Sequence, residues 1–493
     1  MLPFILSLLL VLIGISFGTT HLRRKKLPPG PLPLPIIGSI HLLGKLPHRV
    51  LRNLSLKYGP IMSIRLGNVE TVVLSSPDSA RLFLGTHDAN FSSRPQIQAS
   101  EHLSYGAKGM AYTPYGPYWR SMRKLCTVEL LSVAKINDSR GMRREEIGVI
   151  MKEIGECVTR NEVVNLSETV GRLIENMTFR MLFGRTGYEG ADFRSLANEG
   201  SEVIGAFNLG DYVPMLAPLD LQGSTRRIKS LSKKYDEMIE SLINKREQDR
   251  SLQGLIQWIL LIYYCHNSDK PNDPSHGIDR KGTKAILLDM IVGAIDASTT
   301  STEWVLSLLI KHPRVMKKLQ QELSDVVGNK REVDETHLTK LSYLHMVIKE
   351  TFRLYPAAPL LVPRESINDI VINGYHIPKK TLVLVNFWAF GRDSKVWSKN
   401  CNEFLPERFL DKDVDFRGHD FELIPFGTGR RGCPGMNLGL INVGLIVSQL
   451  VHSFNWDLPS GMSPVELDMT EKFGLSMPRA KPLVAIPTYR LYE

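Results

Sequence analysis

Ten residues near the C-terminus constrain this chain more than any other segment: Phe426-Gly427-Thr428-Gly429-Arg430-Arg431-Gly432-Cys433-Pro434-Gly435. Their glycines leave little side-chain cover, so a large flat group can approach the backbone while nearby amides donate hydrogen bonds to the Cys433 sulfur. Arg431 adds positive charge, and such surroundings lower a thiol pKa. Zinc would need more cysteines or histidines close in sequence, whereas a haem iron is the ligand that fits a single cysteine. An isolated cysteine is ordinarily an inert core residue; the glycine and arginine spacing weighs against that here.

The other end reads as an anchor. From Leu2 to Phe17 the chain is almost wholly apolar, broken by Ser7, Gly14 and Ser16, and at about 1.5 Å per residue it nearly crosses a bilayer core. No Lys or Arg precedes the run and four follow it in His21-Leu22-Arg23-Arg24-Lys25-Lys26, the reverse of a cleaved signal peptide. The expectation is a single-pass membrane anchor over residues 1–22, with the body in the cytosol because positive residues stay on that side. A cleaved secretory signal is the alternative, since the run is short for a span. Leu27-Pro28-Pro29-Gly30-Pro31-Leu32-Pro33-Leu34-Pro35 then makes residues 23–38 a basic, Pro-rich stiff linker, with residues 39–493 as one catalytic domain.

Among the 493 residues, 61 Lys+Arg stand against 51 Asp+Glu, but this +10 is spread along the chain. No nucleic-acid partner is expected, and attraction to an acidic membrane surface is weak. At 43% hydrophobic and 23% charged residues, disordered, collagenous and multi-pass membrane classes are excluded. The scattered cysteines Cys126, Cys157, Cys265, Cys401 and Cys433 cannot staple so long a chain and indicate a reducing compartment. Helical spacing covers Arg143 to Ile154, Tyr235 to Lys245, Lys284 to Ile310, Pro313 to Val327 and Leu341 to Leu354. Strand-like alternation is short: Ile61 to Leu66, Thr71 to Leu74, Ile370 to Ile372 and Leu382 to Val385. The predicted fold is mainly α with small β-sheets. An apolar run from Leu255 to Cys265 is too short to span a bilayer and reads as a buried or interfacial helix.

The Phe426 to Gly435 segment resembles the haem-binding signature of the cytochrome P450 superfamily, and the chain as a whole resembles its plant-type microsomal members. The resemblance runs in order from the Pro-rich segment to the last strands. It implies the P450 fold behind the N-terminal anchor, with Cys433 as axial ligand of haem b (iron protoporphyrin IX) and Phe426, Gly429 and Gly435 as signature positions around it. Trp119-Arg120-Ser121-Met122-Arg123 resembles the helix that meets the haem propionates. Trp119 and Arg123 share a face, and Arg364 and Arg431 match two further propionate positions. Glu350 and Arg353 lie three apart on one helical face, and by resemblance Arg408 joins them in a buried, structural ionic cluster.

Gly293-Ala294-Ile295-Asp296-Ala297-Ser298-Thr299-Thr300 resembles the central helix over the haem, whose pattern has an acid followed by a proton-delivering hydroxyl residue. Here Ala297 stands at the hydroxyl position. Ser298 is turned about 100° away and cannot simply replace it. Asp296 and Ser298 are the candidate catalytic residues, Asp296 as proton carrier. The reading is a haem-thiolate monooxygenase at the endoplasmic reticulum membrane that inserts one atom of O2 into a lipophilic small molecule, a plant secondary metabolite or xenobiotic. Electrons come from NADPH through a separate cytochrome P450 reductase. The resemblance places Gln96 to Ala111, Ile204 to Ala217, the central helix, Pro359 to Val362 and Leu475 to Met477 around the substrate. A reductase-independent isomerase, dehydratase or lyase, and a non-catalytic haem or hydrophobic-ligand binding protein, remain alternatives.

Overall fold

Helices dominate because apolar residues recur at three- and four-residue spacing through most of the chain. The computed structural model describes residues 27–184, 193–248, 279–328 and 332–491. The expected anchor at residues 1–22, the basic cluster that follows it and the run from Leu255 to Cys265 lie outside the described residues. The main helices are Pro47–Tyr58 (α1), Pro117–Leu125 (α2), Arg140–Arg160 (α3), Leu166–Phe183 (α4), Phe193–Gly205 (α5), Ser224–Gln248 (α6), Arg280–Lys311 (α7), Pro313–Val327 (α8), Ser342–Leu354 (α9) and Met436–Ser453 (α10). Strands are Ile61–Leu66 (β1), Val69–Leu74 (β2), Val164–Asn165 (β3), Arg364–Glu365 (β4), Ile370–Ile372 (β5), Tyr375–Ile377 (β6), Leu382–Val385 (β7), Phe454–Asp457 (β8) and Val484–Tyr489 (β9). They form three small sheets ordered β1-β2-β7-β4, β3-β9-β8 and β5-β6, and β2 pairs with β7 in parallel.

Helix α7 organises the body. The Asp279 side chain caps its start by accepting from Gly282 N–H at 2.7 Å, and Pro313 opens the next helix just after its end. Its acids Asp289, Asp296 and Glu303 recur every seven residues, only about 20° short of two full turns. Each carboxyl therefore leaves the same side of α7 and ties down a different segment. Asp289 accepts from Ala111 N–H at 3.1 Å and from Met110 N–H, Asp296 accepts from the Ser476 hydroxyl at 2.6 Å, and Glu303 bonds the Ser167 hydroxyl. Helix α10 packs against α7, α8 and α9. It is the one helix among the described residues long and apolar enough to cross a membrane, but most of it is buried in the core.

Two sequence expectations meet a different structure or a more detailed one. The segment read as a linker is docked on β1: Ser63 N–H donates to Pro29 O at 2.8 Å and its hydroxyl to Pro28 O at 2.6 Å. The folded body thus includes the prolines from Pro28 onward. Glu350 and Arg353 face one another on α9 with both side chains fully buried. Arg353 donates to both Glu350 oxygens at 2.7 Å, and Arg408 Nε donates to Oε1 at 2.9 Å. Arg353 also donates to Cys401 O at 2.6 Å and Glu403 O at 3.0 Å, so the cluster pins the Cys401 to Arg408 segment beneath α9. Losing one member leaves a buried charge unanswered, and Glu350→Ala is expected to cost about 3 to 5 kcal/mol in urea denaturation. A loss under about 1 kcal/mol, the range of an exposed pair, would contradict a buried structural role.

Candidate active site

The signature segment forms a closed loop before α10, with Cys433 N–H donating to Phe426 O at 2.8 Å and Gly432 N–H to Gly429 O at 3.1 Å. Cys433 lies deep in the molecule, yet its side chain is exposed because it opens onto an internal cavity of about 420 Å³. Phe426 and Gly435 line the same cavity. The Cys433 thiol is pushed up, not down as the sequence suggested: burial raises its pKa, opposed by the Gly435 N–H and the Arg123 charge. Coordination to a metal would deprotonate such a thiol outright. Gly429 does not line the cavity. Its φ is +66°, and a Cβ there would come within 2.6 Å of the Asp88 carboxylate, so it admits Asp88 beneath the loop.

Arginines crowd the wall beside the thiol. Arg364 donates to Asp88 Oδ1 at 2.8 Å and Thr428 O at 2.7 Å, while Arg431 donates to Ser92 O at 2.6 Å, Thr113 O at 2.6 Å and Met110 O at 3.3 Å. Trp119 donates its single indole N–H to Met110 O at 3.1 Å, and its ring carries the Arg431 guanidinium, 4.2 Å from the ring centre. Arg123 lines the cavity, and its guanidinium donates to no protein acceptor among the described residues. The sequence reading missed Arg94, a buried, cavity-lining arginine that donates to Ala111 O at 3.1 Å and Pro363 O at 2.7 Å. Burial and mutual repulsion push Arg94 and Arg431 down. Of these arginines only Arg364 has a carboxylate partner among the described residues, Asp88, which it shares with Arg430. A cationic wall beside a cysteine in a glycine-rich loop fits a flat group carrying two carboxylates.

Across the cavity α7 presents Gly293 and Ala297, one helical turn apart and both exposed to it. Asp296 and Ser298 line it too, and burial pushes the Asp296 carboxyl up to about 6, against the pull of the Ser476 and Ser201 hydroxyls. The upper wall is apolar, with Ala99, Leu103, Met181, Ile204, Leu361 and Leu475. Four of the expected substrate stretches thus join the central helix around the cavity, although from the second only Ile204 does. Helix α4, which supplies Met177 and Met181, was not anticipated. Its periodic Val170, Leu173, Ile174 and Met177 were the available signal.

The sequence model of the cytochrome P450 family matches residues 28–485. The chain belongs to the cytochrome P450 family. This P450 is 54% identical to "Cytochrome P450 CYP736A12" of Panax ginseng, with both chains covered in full. It is 39% identical to a flavonoid 3'-monooxygenase of Petunia hybrida over 99% of this chain and 98% of the relative. It is also 39% identical to the desmethyl-deoxy-podophyllotoxin synthase of Sinopodophyllum hexandrum over 94% of this chain and 92% of that protein. The P450 is a plant-type haem-thiolate monooxygenase that uses haem b, O2 and NADPH electrons passed on by a separate reductase.

Asp289 and Asp296 both hold a proton more tightly folded than unfolded, each pushed up to about 6 by burial. A raised carboxyl pKa means the native state binds more protons between about pH 4 and pH 6, so stability falls as pH rises through that window. Asp289→Asn keeps an oxygen for the Met110 and Ala111 amides and is expected to raise the thermal midpoint at pH 7.5, with the gain vanishing near pH 4. An equal gain at both pH values would contradict the assignment.

Proposed function

We propose that Cys433 is the axial ligand of haem b in this P450 and that it serves a lipophilic, oxygen-bearing aromatic substrate of plant secondary metabolism. The opening of the Cys433 side chain onto an apolar cavity walled by arginines is the observation that carries the reading. Haem held there supplies the activation of O2. Arg123, Arg94, Arg364 and Arg431 would balance the charge of its two carboxylates, while Phe426 and Gly435 would shape the face beside the thiol. Asp296 carries protons to the cavity, since Ala297 offers only a methyl group. The apolar upper wall excludes water and holds the substrate by burial. Relatives named as a flavonoid 3'-monooxygenase and as a desmethyl-deoxy-podophyllotoxin synthase support this substrate class. Reconstituted with plant reductase and NADPH under ¹⁸O2, the protein is expected to add one labelled oxygen to a flavonoid. Turnover without O2 or reductase would overturn the reading.

The same proposal extends to the membrane. Residues 1–22 anchor the chain in the endoplasmic reticulum membrane, a short basic segment follows, and the body, which takes in the prolines from Pro28 onward, lies on the cytosolic side. Leu32, Leu34 and Ile36 are exposed apolar side chains, as are Met215, Leu219 and Leu221. Gly38 bridges to Leu66, and Asn68 N–H donates to Tyr212 O at 2.7 Å, which makes the two segments neighbours. Such a patch suits the acyl boundary beside an anchor. Deleting Met1 to Lys26 is expected to weaken vesicle flotation, and adding Leu34→Glu and Met215→Glu to abolish it. Complete release by the deletion alone, or flotation surviving the added charges, would contradict a second contact.

A further inference from the structure

Position 297 places a methyl group where a hydroxyl would otherwise meet the cavity, so the control of Asp296 must come from elsewhere. Ser476 donates to Asp296 Oδ1 at 2.6 Å, and its own oxygen lies 3.1 Å from the Ser201 hydroxyl. Ser201 also accepts from Ser476 N–H at 3.0 Å, and its carbonyl accepts from Leu475 N–H at 2.8 Å. All three side chains are buried. Ser201 belongs to α5, Ser476 to the turn at Gly474 to Met477, and Asp296 to α7, so three chain segments meet at one carboxyl.

The meeting of α5 and the turn is close enough to act as a latch. A Cβ at Gly205 would lie 2.2 Å from the Gly474 carbonyl carbon and from Leu475 N, so glycine alone lets the helix seat there. The same two segments face the cavity through Ile204 and Leu475. A molecule filling the cavity thus presses on the elements whose hydroxyls hold Asp296. The titratable group facing the carboxyl from α6 is Tyr235, whose hydroxyl donates to Leu196 O at 2.6 Å.

We propose that Ser476, held by Ser201, is the positioning residue for Asp296 and ties its protonation to the seating of α5 over the cavity. The proposal rests on the monooxygenase reading. A hydroxyl donating to a carboxylate favours the ionised form, so with α5 seated Asp296 gives up its proton more readily. With α5 lifted, Ser201 no longer holds the Ser476 hydroxyl on the carboxyl, the bond weakens, and Asp296 keeps its proton to higher pH. Release is then confined to the filled, closed site, where reducing power goes into product.

The test uses the full-length, haem-loaded protein. Infrared difference titration would follow the Asp296 carboxyl band, assigned by its disappearance in Asp296→Asn. Ser476→Ala is expected to shift the titration midpoint upward, Ser201→Ala to shift it upward less, and Ser476→Thr to leave it at the native value. In parallel, product formed per NADPH with a confirmed substrate should fall about 10-fold in Ser476→Ala and stay native in Ser476→Thr. An unmoved midpoint in both alanine variants would overturn the proposal, as would loss of coupling in Ser476→Thr. Absence of a thiolate-type carbon monoxide band in the native protein would overturn the parent reading instead.

Discussion

Buried positive charge shapes the floor of this molecule. Arg94, Arg123, Arg364 and Arg431 converge beside the Cys433 loop, and desolvation makes such a cluster unfavourable unless acceptors answer it. The chain answers with backbone carbonyls. Arg431 gathers Ser92, Met110 and Thr113, Arg94 gathers Ala111 and Pro363, and Arg364 reaches Thr428 in the cysteine loop. Segments far apart in sequence are drawn around one cavity by donors that carbonyls alone do not neutralise. The remaining charge suits two carboxylates, which is why the same residues both fold the site and define what it takes up.

Helix α7 answers that floor with carboxyls at a seven-residue interval. Asp289 fixes the loop whose carbonyls the arginines hold, Asp296 meets the Gly474 to Met477 turn, and Glu303 reaches Ser167 at the start of α4. Trp304 adds a stack on Tyr355 at 4.1 Å and donates to Met477 O at 2.8 Å. The turn is therefore held from two points of α7, one of them the acid facing the cavity. Function at Ala297 becomes a property of its surroundings rather than of one side chain.

The sequence made visible what depends on local spacing. Pro313 to Val327, Ile61 to Leu66 and Leu382 to Val385 fall where the sequence placed them, the helix because one face of it is buried and the two strands because they are short apolar runs buried on both faces. The cysteine loop was legible for the same reason. Helix α10 was not anticipated, since it is apolar nearly all round and lacks a polar stripe to reveal its period. Long-range partners were equally hidden. Nothing local to Arg94 announces that it reaches Pro363, nor local to Trp119 that its indole N–H meets Met110 O. The thiol pKa was misread because charge was visible in sequence and burial was not.

The central claim is that Cys433 holds the haem iron as a thiolate. The most direct measurement is the reduced carbon monoxide difference spectrum of the purified full-length protein beside Cys433→Ala and Cys126→Ala. The account predicts a thiolate-type band in the native protein and in Cys126→Ala, and its loss in Cys433→Ala with the fold retained by circular dichroism. The band persisting in Cys433→Ala, or vanishing equally in both variants, would contradict it.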